Sequence, residues 1–169
     1  MVNRIIIIKK SILLSFLCFS FFAFSQGEVK TEIQWLSIEK AEELAKKYDS
    51  DMLVFFFRKG CPECTKMKVE TLQNLEIIKL INENFFPVTL NARTKATIIY
   101  NGKKYTNQQP KEDGETWRHD LYHELVFGGG HQYYYPYIVI IDGEHQPIKY
   151  LPGFYPAIRL KRDLLQLIK

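Results

Sequence analysis

Two cysteines separated by two residues are the side chains in this sequence best suited to chemistry. Cys61 and Cys64 stand as Cys-Pro-Glu-Cys directly after an apolar run at 52–57. The third cysteine, Cys18, lies in a hydrophobic N-terminal stretch that we expect to be removed. Without another thiol, the pair can form a disulfide or bind a metal together. The spacing predicts thiol–disulfide exchange first and metal binding second.

The N-terminus has the pattern of a secretory signal peptide. Basic residues precede an apolar run of about 14 residues, shorter than the roughly 20 that span a bilayer, although an uncleaved anchor is the alternative. Small residues allow cleavage before Gln26. We therefore expect residues 1–25 to be a signal peptide and 26–169 one domain. The predicted location is exported and periplasmic, where a disulfide persists.

The charge of the mature chain predicts an ordinary soluble protein. Removal of residues 1–25 takes away three of 23 basic residues and none of the 19 acidic ones, so the formal charge falls from +4 to +1. No basic block remains that would indicate nucleic-acid binding. No segment typical of a dimer interface is evident, and we expect a monomer.

The hydrophobic pattern predicts strands and helices in alternation, ending in two strands and a helix. The continuous apolar run 52–57 is typical of a central strand that is covered on both faces. Asn-Gly and Asp-Gly turns each predict a hairpin. The predicted strands are 33–36, 52–57 and 85–90, the hairpins 96–106 and 137–151, and the helices 38–48, 61–82, 116–127 and 157–168.

The predicted helix at 61–82 positions the two cysteines. Cys61 would lie at its N-terminus, where unpaired backbone N–H groups and the helix dipole stabilise a thiolate, the attacking species. Cys64, one turn later, would be near enough to close a disulfide and more buried. Pro62 suits the first helical position. Arg58 and Lys59 would add positive charge just upstream, and Glu63 would oppose it unless it faces water.

Together these features make the chain resemble the thioredoxin-like superfamily, in particular the exported SoxW-type and DsbD C-terminal-domain-type thioredoxins. The resemblance predicts an α/β fold with a mixed central sheet flanked by helices, and a hairpin-plus-helix insertion at 95–132. It rests on the segments 60–64, 66–67, 80–85, 88–91, 101–102, 135–136 and 151–154.

The resemblance also implies roles for particular residues. Pro136 would be a cis-proline beside the disulfide, and Tyr135 would offer backbone groups to a substrate peptide; a trans proline at a strand start is the alternative. Cys61 would be the nucleophile and Cys64 the resolving thiol, with no cofactor besides their disulfide. The implied activity is reduction of disulfides in exported proteins, with electrons from a membrane thiol donor; an oxidase or isomerase role remains open.

The sequence departs from the family pattern at three positions. Phe55 replaces the buried acid six residues before the first cysteine, so the proton of the second cysteine must go elsewhere. Gly60 replaces the usual tryptophan, and Tyr135 replaces a small or β-branched residue. Redox poise and substrate range are therefore open.

Histidines offer the main alternative function. His119 and His123, four apart on a predicted helix, could join the cysteines in a Cys2His2 zinc set, but two histidines on a solvated face are the simpler interpretation. A copper carrier could instead use His131 or His145. A non-catalytic binding module is a third possibility, although both cysteines are intact.

Aromatic and glycine clusters have two interpretations each. Alternation places Tyr133, Tyr135 and Tyr137 on one face, either as a platform for a partner peptide or as core. The run 128–130 could hinge a lid over the site, or simply end the helix.

Overall fold

The structure, a computed structural model, describes residues 30–108, 117–127, 130 and 132–168. The predicted signal peptide, His131 and most of the glycine run lie outside these residues. The described elements are α1 (Ile38–Tyr48), β1 (Asp51–Phe57), α2 (Pro62–Lys66), a π-helical segment (Met67–Thr71), α3 (Leu75–Asn84), β2 (Phe85–Asn91), β3 (Ile98–Tyr100), β4 (Lys103–Tyr105), α4 (Asp120–Tyr122), a second π-helical segment (His123–Phe127), β5 (Tyr137–Ile141), β6 (Pro147–Pro152) and α5 (Ala157–Leu165).

The central sheet is mixed, with strand order β2-β1-β5-β6. β1 is parallel to β2 and antiparallel to β5. All five residues of β1 between its two ends are buried. Because neighbouring side chains point to opposite faces, full burial requires cover on both sides of the sheet. The predicted central strand and the mixed central sheet are confirmed.

Each face of the sheet has its own hydrophobic core. On one face, α1, the β3–β4 hairpin and residues 121–126 pack around Val54 and Phe56. The Phe56 and Tyr122 rings lie 4.9 Å apart, so the insertion is anchored on the central strand. On the other face, α3 and α5 pack against Leu53 and Phe55.

The helix predicted at 61–82 is broken in the structure. The N–H of Leu72 donates to the carbonyl of Met67, five residues back, which is π-helical geometry. A new helix, α3, then begins because the Asn74 side chain accepts from the N–H groups of Glu76 and Ile77. The prediction of a single helix was wrong because apolar residues continue at helical spacing through the break, so the hydrophobic pattern did not reveal the N-cap at Asn74.

Other predicted bounds also change. The candidate strand 33–36 forms only one bridge, Leu36 to Val88, and the last helix ends at Leu165. The helix predicted at 116–127 has its first described turn at Asp120, with His119 as the N-cap. Both hairpins are confirmed. Among the described residues, no helix combines the length and apolar character needed to cross a membrane.

Candidate active site

The two cysteines lie at the start of α2, just after the short loop that follows the central strand β1. Gly60 turns the chain with a φ of +67°, a conformation that glycine adopts without strain. Cys61 is the N-cap of α2, and Pro62 occupies the first turn. Cys61 and Cys64 are joined by a disulfide, with their Cα atoms 5.3 Å apart. The sequence thus places both sulfurs where strand and helix meet.

The start of α2 places one backbone donor at the sulfur of Cys61. The N–H of Cys64 donates to Cys61 Sγ at 3.2 Å, and the N–H of Thr65 donates to the Cys61 carbonyl at 3.1 Å. Cys61 is 6% exposed and Cys64 2% exposed. The first cysteine is therefore the more accessible one, and a backbone donor points at its sulfur.

Pro136 and the cysteine loop lie at the same end of the sheet. Phe56, near the end of β1, pairs with Tyr137, the first residue of the antiparallel strand β5. Pro136 directly precedes Tyr137, so it lies at the end of the sheet where β1 leads into Cys61. The Tyr135–Pro136 peptide bond is cis. The carbonyl of Pro136 accepts from the N–H of Gly153 at 2.9 Å. The loop after β6 thus holds the proline in place.

Tyr135 is a half-buried residue with arginines nearby. The guanidinium carbons of Arg58 and Arg93 lie 5.7 and 5.9 Å from its ring centroid. Tyr133, Tyr135 and Tyr137 pack on one core, as alternation predicted, whereas Tyr134 is 49% exposed. Because Arg58 stands three residues before Cys61, its contact with the Tyr135 ring joins the cysteine loop to the segment before Pro136.

The predicted modulating charges face solvent. Both Lys59 and Glu63 are exposed, so the preferred interpretation of Glu63 as water-facing is confirmed. Phe55, in the position of the family's acid, is fully buried, and its ring stacks on Phe57 at 6.2 Å. The interior near the cysteines therefore has an aromatic side chain where a carboxylate would stand.

Lys68, on the π-helical segment after the cysteines, is a candidate functional residue that sequence reasoning missed. Its ammonium lies 3.6 Å from the centroid of the Phe57 ring, and burial lowers the pKa of Lys68. It also lines a cavity of about 500 Å³ together with Trp35 and Thr89. Its position four residues after Cys64, on the same helical run, is the signal that could have found it.

The histidines do not form the metal set considered from the sequence. His119 is buried; its Nδ1 accepts from the Leu121 N–H at 3.2 Å and its Nε2 donates to the Ala96 carbonyl at 3.0 Å. The solvated face predicted for His119 and His123 was thus wrong for His119. His123 contacts the Tyr133 hydroxyl, and His145 contacts Glu42. Within the described ranges, no three His, Cys, Asp or Glu residues are grouped as metal ligands would be.

The fold and the paired cysteines define the class of protein as a thiol–disulfide oxidoreductase. Comparison with family models is consistent with this, since residues 38–168 match the thioredoxin-like domain. The chain belongs to that family. No curated protein matches it.

Solved structures resemble the chain at low sequence identity. The DsbH oxidoreductase is 20% identical over 86% of this chain and 93% of its own, with a TM-score of 0.55. A thioredoxin from Thermus thermophilus is 18% identical over 80% and 87%, with a TM-score of 0.55. The reduced DsbD C-terminal domain of Neisseria meningitidis is 16% identical over 76% and 90%, with a TM-score of 0.49. The first two likenesses show the fold, and none of the three ranks its subgroups.

Proposed function

We propose that this protein reduces disulfides in exported proteins, with Cys61 as nucleophile and Cys64 as resolving thiol. The observation that carries the proposal is the N–H of Cys64, which donates to Cys61 Sγ at the start of α2. The same donor, with the positive end of the helix dipole, would stabilise a Cys61 thiolate in the reduced protein. The greater exposure of Cys61 favours it as the attacking sulfur.

The proposed reaction is two successive thiol–disulfide exchanges. The Cys61 thiolate attacks one sulfur of the substrate disulfide, forms a mixed disulfide and releases a substrate thiolate. Cys64 then loses its proton and attacks Cys61 Sγ, which releases the second substrate thiolate and closes the Cys61–Cys64 disulfide. The substrate gains the two electrons that the cysteine pair loses. A membrane thiol donor would restore the reduced pair by the reverse exchange.

The proton of Cys64 needs a route that the family's acid does not supply here. The aromatic ring of Phe55 occupies that position, and an aromatic ring cannot accept a proton. We propose that water receives the proton from Cys64. Resolution should therefore depend on pH through the Cys64 thiol itself and show no titration of a nearby carboxylate.

The exported location and the partners are part of the proposal. They are supported by the signal-peptide pattern at residues 1–25 and by the near-neutral charge of the remainder. Tyr135 and Pro136 would hold an extended substrate segment beside the disulfide. This arrangement needs no cofactor besides the cysteine pair, and a monomer would suffice.

A trapping experiment tests the proposal. Cys64→Ala leaves an attacking Cys61 without its resolving thiol, so mixed disulfides with exported proteins should accumulate and disappear on reduction. Cys61→Ala is the matched control, and it should trap far less because Cys64 is almost fully buried. Equal trapping by the two variants would contradict the assigned roles. Absence of trapping by both would contradict the reductase function.

A further inference from the structure

Arginines stack on tyrosines along the surface that leads to Pro136. Arg58 and Arg93 lie against Tyr135, and the Arg118 guanidinium carbon lies 3.9 Å from the centroid of the Tyr133 ring. We name these five residues the arginine–tyrosine surface. The Tyr122 ring connects its two halves, at 5.7 Å from Tyr133 and 5.3 Å from Tyr135.

The chemistry of this surface suits carboxylates. A guanidinium that stacks on a ring uses its face, and its N–H edge remains able to bind a carboxylate with two hydrogen bonds. The Nε atoms of Arg58 and Arg118 are buried and have no hydrogen-bond partner among the described residues. Both arginine side chains are half-buried overall, so each keeps part of its surface open to a ligand.

A cavity beside Arg118 gives the surface room for a ligand. It measures about 400 Å³ and is also lined by Trp117 and Tyr133. The one carboxylate in its lining, Asp120, accepts hydrogen bonds from Thr106 and from Gln108. These neutral donors leave the negative charge of Asp120 in place, so it offsets Arg118 within the cavity, and the positive charge that is not offset there belongs to Arg58 beside the cysteine loop.

We infer that the arginine–tyrosine surface binds acidic residues close to the reactive cysteines of a partner protein. The inference rests on the proposed reductase function and names its substrate class. Arg58 belongs to the cysteine loop and Tyr135 precedes Pro136, so a segment held beside the disulfide would meet both. Glutamate or aspartate a few positions from its cysteine would then contact the arginines.

A binding measurement tests this inference without redox chemistry. The probes are two synthetic peptides with cysteine replaced by serine, identical except that one carries glutamates and the other glutamines beside that serine. Cys61→Ser/Cys64→Ser protein should bind the glutamate peptide about tenfold more tightly by calorimetry, as expected for charge-assisted hydrogen bonds. The preference should shrink at high salt.

Arginine variants locate the effect. Arg58→Gln/Arg118→Gln, in the same cysteine-free background, should lose most of the glutamate preference. Arg159→Gln is the matched control because Arg159 also stacks on a tyrosine, Tyr155, at 4.3 Å. Tyr155 packs in the core on the opposite face of the sheet, so this control should keep the preference.

The outcomes separate this inference from the proposed function. Equal affinity for the two peptides, or a preference that survives in the double variant, would overturn the inference. The same two peptides made with cysteine in place of that serine supply disulfide substrates, and their reduction by the wild-type protein would then leave the reductase function standing. Selective binding of the glutamate peptide without reduction of either disulfide would support the acidic-partner surface and overturn the reductase function.

Discussion

His119 connects two parts of the insertion, and its replacement tests how the insertion is held. Its Nδ1 caps α4 by accepting the N–H of Leu121. Since that nitrogen accepts, the neutral ring carries its proton on Nε2, which donates to the carbonyl of Ala96. His119→Ala removes both hydrogen bonds and the buried ring. The folded protein should therefore lose stability while the cysteine site keeps its geometry.

The structure sets the size of this loss. Loss of an N-cap costs about 1 kcal/mol, and loss of the bond to Ala96 costs about another 1 kcal/mol. With the packing of the ring, we expect His119→Ala to lower the free energy of unfolding by about 2–4 kcal/mol. His119→Asn keeps an oxygen that can cap Leu121 and should recover about 1 kcal/mol.

The same residue predicts a pH dependence. Burial lowers the pKa of His119 below its usual 6.5. As pH falls through 6.5, the unfolded chain binds a proton that the folded chain does not, so unfolding becomes more favourable. The stabilising contribution is complete above pH 6.5 and is lost between 6.5 and the lowered pKa of the folded state. His119→Asn should lack this loss.

Urea unfolding followed by circular dichroism measures both effects. Wild-type, His119→Ala and His119→Asn proteins are compared at neutral pH and at about one pH unit below the ordinary histidine pKa. The wild-type protein should lose more stability on acidification than His119→Asn. A loss below about 0.5 kcal/mol for His119→Ala, the range of neutral surface changes, would refute the reasoning. An equal loss of stability on acidification in the wild-type and His119→Asn proteins would also refute it.

Three further changes test other contacts. Asn74→Ala should lower the free energy of unfolding by about 1 kcal/mol because it removes the cap of α3, and Gln73→Ala, an exposed neighbour, should change it little. Thr71→Val should lower the free energy of unfolding by about 1–3 kcal/mol, because the Thr71 hydroxyl donates to the buried Tyr155 carbonyl at 2.6 Å. Thr71→Ser keeps a hydroxyl and should retain most of the wild-type stability. Tyr122→Phe removes the 2.7 Å bond from its hydroxyl to the Tyr134 carbonyl, so it should weaken peptide binding more than it slows turnover.

Chemical denaturation measures the first two changes, and peptide titration with turnover kinetics measures the third. Unchanged stability in Asn74→Ala would contradict the N-cap, and equal stability of Thr71→Val and Thr71→Ser would contradict a role for the hydroxyl. If Tyr122→Phe lowered the turnover number and left binding intact, the expected role of the Tyr122–Tyr134 hydrogen bond in peptide binding would be wrong.

Local patterns were enough to predict the framework that carries the cysteines. The unbroken apolar run at 52–57 predicted the buried central strand, and Asn101-Gly102 predicted the β3–β4 turn. Both elements could be predicted because each is determined by residues that are adjacent in the sequence. The break after Thr71 escaped prediction. Leu72 and Leu75 continue the helical spacing, while the π-helical turn and the Asn74 cap depend on backbone geometry.

Features that depend on distant residues could not be read from the sequence. The buried ring of His119 donates to the carbonyl of Ala96, 23 residues earlier. The contact of Arg58 with Tyr135 likewise depends on the β1–β5 register. Residue types and spacing identified the cysteine pair, but the surroundings of the pair are a product of tertiary packing.

The reduction potential of the Cys61–Cys64 pair is the most direct test of the central claim. Protein lacking residues 1–25 would be equilibrated in dithiothreitol and glutathione buffers, with the reduced and disulfide forms quantified after thiol alkylation. We expect reversible two-electron exchange with a potential near that of thioredoxin, about −270 mV. A value near −120 to −180 mV, the range of oxidants and isomerases, would contradict the reductase direction. If no intramolecular disulfide formed in any buffer, thiol–disulfide exchange itself would be contradicted.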